Sequence, residues 1–235
     1  MDMEPAIVAI GGGSLNEGAG PQLEDYVLSL ADAPEPRVCF IPTASGDSPA
    51  AIARFYEFFT ARDCRPCHLG LFDRKVSDLA AFLRQQDVVY VGGGNTATML
   101  AIWRLHGLDA ALREAWQQGV VLAGSSAGAS CWHAASVVDS FGPTTPLPDG
   151  LGFIPASFCP HYDSAPERRP VFQQSVGAGL IPAGIAAEDG VAVRYTGTEV
   201  AEIVASRAGA RAWRLEQTPE GASETLLEPR LLTST

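Results

Sequence analysis

Short runs of Val and Ile alternate along the chain with stretches in which apolar residues recur at helical spacing. The first run, Ala6–Ile10, ends at three glycines, and similar runs cover Val38–Ile41, Val88–Val91 and Val120–Ala123. Between the first two runs, apolar residues at i, i+3, i+4 and i+7 predict a helix over Pro21–Ala31. This alternation is typical of an α/β fold with a mostly parallel sheet and helices on both of its faces.

Weaker signals predict the other elements of the first half of the chain. Capping residues, a proline at a first helical turn and glycines at helix ends mark their boundaries. The elements predicted in this way are a helix that begins at Pro49 after Asp47 or Ser48, a strand near Cys67–Leu71, a helix near Ser77–Arg84, and two helices that end at Gly107 and Gly119.

The alternation becomes irregular after about Val137. Strands are predicted near Phe158 and over Val191–Tyr195, Glu199–Ala205 and Arg211–Leu215, and the last three are expected to form an antiparallel edge or an appended ribbon. Because the chain contains no internal repeat, low-complexity tract or linker, we expect residues 1–235 to form a single domain.

Composition narrows the classes of function. The formal net charge of −11 and the lack of a basic stripe argue against a nucleic-acid partner. No segment reaches the roughly 18 consecutive apolar residues of a membrane span, and the first ten residues do not resemble a signal peptide. Five cysteines at irregular spacing suit a reducing compartment, so a cytoplasmic protein is predicted.

The segment Gly124–Gly128 follows a predicted buried strand and opens a predicted helix. Its small residues allow the tight strand-to-helix turn on which a nucleophilic serine is held, which makes Ser126 the candidate nucleophile. The free N–H groups and the positive dipole end of the following helix suit an oxyanion, so the N–H of Ala127 is a candidate oxyanion donor.

A second glycine loop, Gly92–Gly94, ends the strand that is expected near the Ser126 strand. Ligands of open α/β sheets bind outside such strand ends, so N–H groups of this loop could complete an oxyanion hole. Alternatively, a glycine loop before a helix could bind phosphate. Neither glycine run has a full phosphate-loop or dinucleotide pattern, so no cofactor is predicted.

Serine needs a general base, and the chain has four histidines. His133 lies seven positions beyond Ser126 on the same predicted helix, about 10 Å away along the axis, and is expected to pack or to face solvent. His106 precedes a helix-ending glycine, where histidine often caps carbonyls. His161 follows a short apolar strand, so it is the preferred base, with a structural role as the alternative.

His68 ends the segment Cys64–His68, which matches the haem-attachment pattern. Covalent haem attachment occurs in exported proteins and no export signal is present, so haem is not predicted. A structural zinc site would need about four ligands, and there is no second Cys/His pair at suitable spacing. No metal is therefore predicted, and redox chemistry by Cys64 and Cys67 stays open.

Four segments together resemble the peptidase E family, which includes aspartyl dipeptidases and is related to cyanophycinases and, in fold, to class I glutamine amidotransferases. They are Val91–Thr96, Gly124–Ala129, Pro160–Tyr162 and, more loosely, Gly184–Val193. The resemblance implies a flavodoxin-like fold of the amidotransferase type and a serine peptidase that cuts dipeptides or short peptides.

By position, the resemblance implies Ser126 as nucleophile, His161 as base, and Gly94 and Ala127 as oxyanion donors. The acid of the triad is expected to be Glu188, with Asp189 and Asp139 as alternatives. The expected substrate-binding residues are Asn95, Thr96, Arg168 and Arg169, with an arginine pairing with the side chain of an N-terminal Asp or else simply facing solvent.

Three other functions compete with this one. The first is cyanophycinase-like cleavage of β-linked Asp-Arg units, and the second is a non-catalytic module that binds a small anion. The third is a glutamine amidotransferase, which is disfavoured because Ser126 stands where that chemistry uses cysteine, and Cys131 lies five residues further on. The resemblance also implies a homodimer.

Overall fold

The structure is a computed structural model that describes residues 5–15 and 21–233. Its helices are α1 Gln22–Leu28, α2 Pro49–Phe59, α3 Leu79–Leu83, α4 Thr96–His106, α5 Leu108–Gln117, α6 Ala127–Ser130 and α7 Arg168–Gly177. Its strands are β1 Ala6–Ile10, β2 Arg37–Ile41, β3 Arg65–His68, β4 Val88–Val91, β5 Val121–Ser125, β6 His133–Val138, β7 Thr145–Leu147, β8 Ile154–Cys159, β9 Gly184–Ala187, β10 Val191–Thr196, β11 Glu199–Ala205, β12 Ala212–Thr218, β13 Gly221–Leu227 and β14 Arg230–Leu231.

The larger sheet, within the described residues, has the order β14-β11-β10-β1-β5-β4-β2-β3. Its strands β1, β5, β4, β2 and β3 are parallel neighbours, as the alternating pattern predicts. The strands from β1 to β5 are almost entirely apolar except β3, because helices cover both faces of the sheet and each face packs on its own apolar core. The prediction of an α/β fold with a mostly parallel sheet is confirmed.

The C-terminal strands divide between two sheets, which the sequence pattern did not predict. β10 and β11 form the expected antiparallel edge beside β1. The third predicted ribbon strand does not join them, because β12 pairs with β9 and β13 in a second sheet of order β13-β12-β9-β8-β6-β7. The second sheet matters for function because β8 and β9 end beside the carboxyl end of β1.

Some predicted boundaries shift by a few residues. α1 ends at Leu28, three residues before the predicted end, because Pro34 and Pro36 lie in the segment that follows and the chain turns toward β2. β3 covers Arg65–His68, earlier than predicted, since its pairing with β2 begins at Arg37 opposite Arg65.

The helix after Ser126 is a single turn, which corrects the prediction for His133. α6 ends at Ser130 and His133 already begins β6, so the two residues do not share a helix. His133 is buried against Phe158 and Tyr195, as a packing residue would be. None of the helices in residues 5–15 and 21–233 is long and apolar enough to cross a membrane.

Candidate active site

Loops from both sheets meet at the carboxyl ends of β1, β4 and β5. These three strands are parallel neighbours, so the glycine loops after β1 and β4 come to lie beside Ser126, which follows β5. From the second sheet, the end of β8 brings His161 to the same place, where its backbone N–H donates to the carbonyl of Gly11 at 3.0 Å. The chain therefore assembles the site from four segments that are distant in sequence.

Ser126 lies on a strained turn between β5 and α6. Its φ of 58° and ψ of −110° are unusual for a residue with a side chain. The turn is held because the N–H of Ser126 donates to the carbonyl of Ile10 at 3.0 Å, and its own carbonyl accepts from the N–H of Ser130 at 2.9 Å. This is the sharp strand-to-helix turn that exposes a nucleophilic serine.

His161 lies between Ser126 and Asp189. Its Nε2 is 2.8 Å from Oγ of Ser126, and its Nδ1 is 2.7 Å from Oδ1 of Asp189. About a quarter of the His161 side chain and a third of the Asp189 side chain are exposed, so the pair lies at the surface of the site rather than in the core. With Nδ1–H donating to the carboxylate, Nε2 is left to accept the hydroxyl proton of Ser126, which is the geometry that general-base catalysis requires.

Asp189, and not the expected Glu188, is the carboxylate that contacts His161. Glu188 continues the pairing of β9 with the segment before β12: its N–H donates to the carbonyl of Arg211 at 3.1 Å, and its Oε2 accepts from the N–H of Arg211 at 2.9 Å. That pairing directs Glu188 away from His161. The chain then turns, and the next residue, Asp189, projects toward the histidine. The expectation for Glu188 is thus corrected in favour of its neighbour.

The backbone of Asp189 is held by an ion pair on its outer side. Its N–H donates to Oδ1 of Asp163 at 2.9 Å, its carbonyl accepts from Nε of Arg207 at 2.8 Å, and Asp163 pairs with Arg207. Burial opposes ionisation of Asp189, but hydrogen bonds from His161 and Ser164 outweigh it and lower the pKa of the carboxyl. Asp189 is therefore charged when it accepts from His161.

The first glycine run makes room for this pair. A Cβ on Gly12 would collide with Oδ1 of Asp189 and would lie 2.5 Å from Cε1 and Nδ1 of His161. Any side chain at this position would separate the two residues.

Gly94 and Ala127 lie beside Ser126 as the resemblance implies. Gly94 has φ of 141°, and a Cβ there would overlap the carbonyl group of Ala44, so only glycine fits. Among the described residues, the N–H groups of Gly92 and Asn95 donate to the carbonyls of Ile41 and Ala44, while no hydrogen bond involves the N–H of Gly93, Gly94 or Ala127. The N–H groups of Gly94 and Ala127 are thus available to an oxyanion.

Two cavities meet at Ser126 and His161. The first, of about 280 Å³, is called the Arg54 cavity, and the second, of about 240 Å³, the Arg168 cavity. The Arg54 cavity is lined by Gly13, Ser14, Leu15, Phe40, Ser45, Ala51, Arg54, Tyr90, Gly92, Gly93, Ser125, Ser126 and His161. The Arg168 cavity is lined by Gly94, Thr96, Ser126, Ala127, Ser130, Asp139, Pro160, His161 and Arg168.

Comparison with known proteins identifies the family. The model of peptidase family S51 matches residues 7–203, most of the chain. The chain belongs to peptidase family S51. It is therefore a serine peptidase, and the resemblance to the peptidase E family is confirmed.

One curated relative of this S51 peptidase is the uncharacterized peptidase YgaJ of Bacillus subtilis (strain 168). The two are 45% identical over 227 residues, which cover 96% of this chain and 98% of that protein. Among solved structures, a peptidase from an acI-B1 Actinobacterium matches with a TM-score of 0.71 at 20% identity, covering 97% of this chain and 96% of that one. A candidate peptidase E from Listeria monocytogenes EGD-e matches with a TM-score of 0.62 at 18% identity, covering 88% and 100%. Both structures support the fold alone.

The predicted substrate-binding residues of the S51 peptidase lie in different environments. Thr96 and Arg168 line the Arg168 cavity. Arg169, one residue further along α7, points instead to Glu224 and lies over the rings of Tyr162 and Trp213. The side chain of Asn95 caps α4 by accepting from the N–H of Thr98 at 2.9 Å and also donates to the carbonyl of Ser140 at 3.0 Å. Neither Arg169 nor Asn95 is among the residues that line the two cavities.

Asp139 is not placed to orient His161, since it lies beside Arg168. Its Oδ2 is 3.5 Å from a guanidinium nitrogen of Arg168, whose other nitrogen donates to the carbonyl of Val137 at 2.7 Å. Arg168 is buried while about two thirds of the Asp139 side chain is exposed. The Arg168 cavity thus offers both a cation and a carboxylate.

The remaining histidines lie away from Ser126. His133 donates to or accepts from the hydroxyl of Tyr195 at 3.1 Å, and burial lowers the pKa of His133 to about 3. His68 contacts the Tyr56 hydroxyl at 2.9 Å, and His106 ends α4 as expected of a residue before Gly107. No three or more His, Cys, Asp or Glu side chains in residues 5–15 and 21–233 are grouped to hold a metal ion.

Several cavity residues were not predicted from the sequence, among them Arg54, Ser14 and Ser130. Arg54 comes from the solvent-facing side of α2, and Ser14 from the turn after β1. The Ser130 hydroxyl is buried and, over the described residues, has no hydrogen-bond partner. Nothing in the sequence distinguishes these residues from ordinary surface or turn positions, because the contacts that bring them to Ser126 are long-range.

Proposed function

We propose that this chain is a serine exopeptidase that hydrolyses dipeptides or short peptides through an acyl-enzyme on Ser126. The observation that carries the proposal is the continuous chain of contacts from Ser126 Oγ through both ring nitrogens of His161 to Asp189. This chain of contacts opens into two cavities, one on either side of the serine. That arrangement suits a bound peptide with its scissile bond at the serine.

Acylation begins when Nε2 of His161 takes the hydroxyl proton of Ser126 and Oγ attacks the carbonyl carbon of the peptide bond. The N–H groups of Gly94 and Ala127 then stabilise the oxyanion, and Asp189 stabilises the imidazolium. His161 returns the proton to the departing nitrogen as the C–N bond breaks. The new amine leaves, and the acyl group stays esterified to Ser126.

Deacylation repeats these steps with water as the nucleophile. His161 takes a proton from water, the oxygen attacks the ester carbon, and the same N–H groups stabilise the second oxyanion. The proton passes to Oγ of Ser126 as the ester bond breaks. The products are the free amino acid and the regenerated serine.

The Arg168 cavity supports a preference for an acidic N-terminal residue. Arg168 is a buried cation that can pair with a side-chain carboxylate, and the unpartnered hydroxyl of Ser130 can donate to the same group. Asp139, on the wall of the same cavity, is a counter-ion for an α-ammonium group. We therefore propose Asp-Xaa peptides as preferred substrates, bound with the N-terminal residue in this cavity.

The test compares Ser126→Ala with Ser125→Ala. Ser125 is the preceding serine, at the end of β5. It lines the Arg54 cavity, but no described hydrogen bond joins it to His161 or Asp189. Ser126→Ala should reduce kcat by on the order of 10⁶-fold with the fold intact, whereas Ser125→Ala should keep kcat within about tenfold. Turnover retained in the Ser126 variant would refute the proposal.

A substrate panel separates the alternatives. Purified protein is assayed with α-Asp-Xaa, uncharged dipeptides and β-Asp-Arg. Cleavage of α-Asp-Xaa with the highest kcat/KM supports the proposal, and preferential cleavage of β-Asp-Arg would favour the cyanophycinase-like alternative. Binding of a small anion without cleavage of any peptide would favour a non-catalytic module.

A homodimer and a cytoplasmic location remain predictions from the resemblance and the composition. Sedimentation at several protein concentrations tests the first, and fractionation of cells tests the second. A monomer at all concentrations would contradict the homodimer.

A further inference from the structure

Arg54 is a cation on the wall of the Arg54 cavity. It is exposed on α2 and lines the cavity together with Ser126 and His161. Within residues 5–15 and 21–233 its guanidinium makes no hydrogen bond and no ion pair, whereas Arg168 on the opposite side has Asp139. Of the described residues on this wall, His161 and the buried hydroxyl of Tyr90 are the other titratable groups. The described lining therefore contains one permanent cation and no carboxylate, and the carboxyl of Glu24 lies buried behind it, against Ser14 and Tyr90.

Aromatic packing fixes the helix that carries Arg54. The next residue, Phe55, is fully buried, and its ring stacks on that of Phe40 with a centroid distance of 4.8 Å. Phe40 itself lines the cavity, as does Ala51, three residues before Arg54 and so on the same face of α2. Arg54 is thus held toward the cavity by a rigid element, which favours recognition of a charged group.

Building on the proposed function, we propose that Arg54 determines specificity by binding the C-terminal carboxylate of the leaving residue. A dipeptide carries an ammonium group at one end and a carboxylate at the other. The Arg168 cavity holds Asp139, which suits the ammonium end. The described lining of the Arg54 cavity contains the Arg54 cation and no carboxylate, which suits the carboxylate end. A single orientation of the peptide across Ser126 satisfies both charges.

The same contact would select for length. In a dipeptide the terminal carboxylate lies one residue beyond the scissile bond, and each added residue moves it further by about 3.5 Å in an extended chain. A tripeptide would place an uncharged peptide group at Arg54 and lose the charge-assisted hydrogen bonds. Dipeptides are therefore the preferred substrates on this account.

A kinetic cycle tests the contact from both sides. Asp-Ala, Asp-Ala-NH₂ and Asp-Ala-Ala are assayed with the wild type, Arg54→Gln, Arg54→Lys and Arg214→Gln. Arg214 is a matched control, since it is an exposed arginine without an ion pair among the described residues and lines neither cavity. Melting temperatures of all variants exclude unfolding as the cause of any loss.

For the wild type, kcat/KM should fall by roughly 10- to 100-fold from Asp-Ala to its amide. Arg54→Gln should lose a similar factor on Asp-Ala and little on the amide, Arg54→Lys should retain part of the discrimination, and Arg214→Gln should behave as wild type. Equal activity of the wild type on acid and amide, or an equal loss by Arg54→Gln on both, would overturn the proposal. A third result would also overturn it: a loss of kcat/KM in Arg54→Gln that occurs with Asp-Glu-NH₂ but not with Asp-Ala-NH₂ or Asp-Ala. Arg54 would then recognise an acidic side chain of the second residue rather than the terminal carboxylate.

Binding separates this inference from the proposed function. Asp-Ala and Asp-Ala-NH₂ are titrated calorimetrically into two proteins, the single variant Ser126→Ala and the double variant that also carries Arg54→Gln. Neither variant has to cleave the peptide for its binding to be measured. If the wild type cleaves none of the peptides, the proposed function fails. The contact with Arg54 is still supported if Asp-Ala binds more tightly than Asp-Ala-NH₂ and Arg54→Gln removes that difference. Equal binding of acid and amide, or no binding of either, overturns it.

Discussion

The contact between His161 and Asp189 leads to a sharp prediction, because two adjacent carboxylates can be compared directly. Asp189→Asn keeps the size of the side chain but removes its negative charge. In the wild type, Oδ1 of this carboxylate accepts from Nδ1 of His161 at 2.7 Å. An amide NH₂ at this position can donate to Nδ1 instead. The proton of the ring then sits on Nε2, which can no longer accept from Ser126.

The expected loss is large. Replacing the acid of a Ser-His-Asp triad by its amide lowers kcat on the order of 10⁴-fold through the wrong tautomer, which corresponds to about 5.5 kcal/mol at 1.36 kcal/mol per tenfold change. Glu188→Gln should lower kcat less than about tenfold, since Glu188 contacts Arg211 and is 3.9 Å from Arg207 rather than touching His161.

The assay measures steady-state kcat and KM on the best dipeptide at pH 7 to 8, with thermal melts to confirm that both variants fold. A KM that changes little while kcat collapses would place the effect on chemistry rather than on binding. If Glu188→Gln costs more than Asp189→Asn, the assignment of Asp189 is wrong and the original expectation of Glu188 is restored.

Further predictions follow from Gly12, His133 and Cys67. Gly12→Ala should abolish activity while the protein still unfolds cooperatively, because the added Cβ would occupy the position where His161 contacts the carboxylate of Asp189. A variant that stays active in a steady-state assay would contradict this close packing of Gly12 against the two side chains. Burial lowers the pKa of His133 to about 3. As pH falls below about 6.5, the unfolded state therefore binds a proton that the folded state does not, and the unfolding free energy falls by up to about 1.4 kcal/mol per pH unit. In urea titrations from pH 7 to 4, the unfolding free energy of His133→Phe should fall less steeply with pH than that of the wild type. The hydrogen bond between Cys39 and Cys67 lowers the pKa of the Cys67 thiol, and the same hydrogen bond, together with burial, raises the pKa of Cys39. Limiting iodoacetamide should therefore modify Cys67 first, as located by peptide mapping, and faster labelling of another cysteine would argue against it.

Local chemistry was enough to predict the parallel part of the fold and two of the three residues in the contact chain. Val88–Val91 and Val120–Ala123 are uniformly apolar because both faces of the sheet are covered, and the glycines after each strand mark where the chain turns. Ser126 is recognisable because a tight turn between a buried strand and a helix requires small neighbours. His161 followed from elimination among four histidines.

The second sheet could not be predicted, because its pairings are long-range and its patterns are weak. β13 is partly exposed and mixes polar with apolar residues. β6 follows a helix that ends after one turn, although the sequence continues with helix-compatible residues. The choice between Glu188 and Asp189 depends on where β9 stops pairing with the segment before β12. A shift of one residue in that register exchanges the directions of the two side chains.

The central claim is that Ser126 is the nucleophile, and covalent trapping tests it most directly. The active protein is treated with a serine-directed fluorophosphonate, and the adduct is located by peptide mass spectrometry in the wild type, Ser126→Ala and Asp189→Asn. We predict one adduct on Ser126, formed in parallel with the loss of activity, absent from Ser126→Ala and much slower in Asp189→Asn. An adduct on another residue, or full activity in protein that carries the adduct on Ser126, would contradict the account.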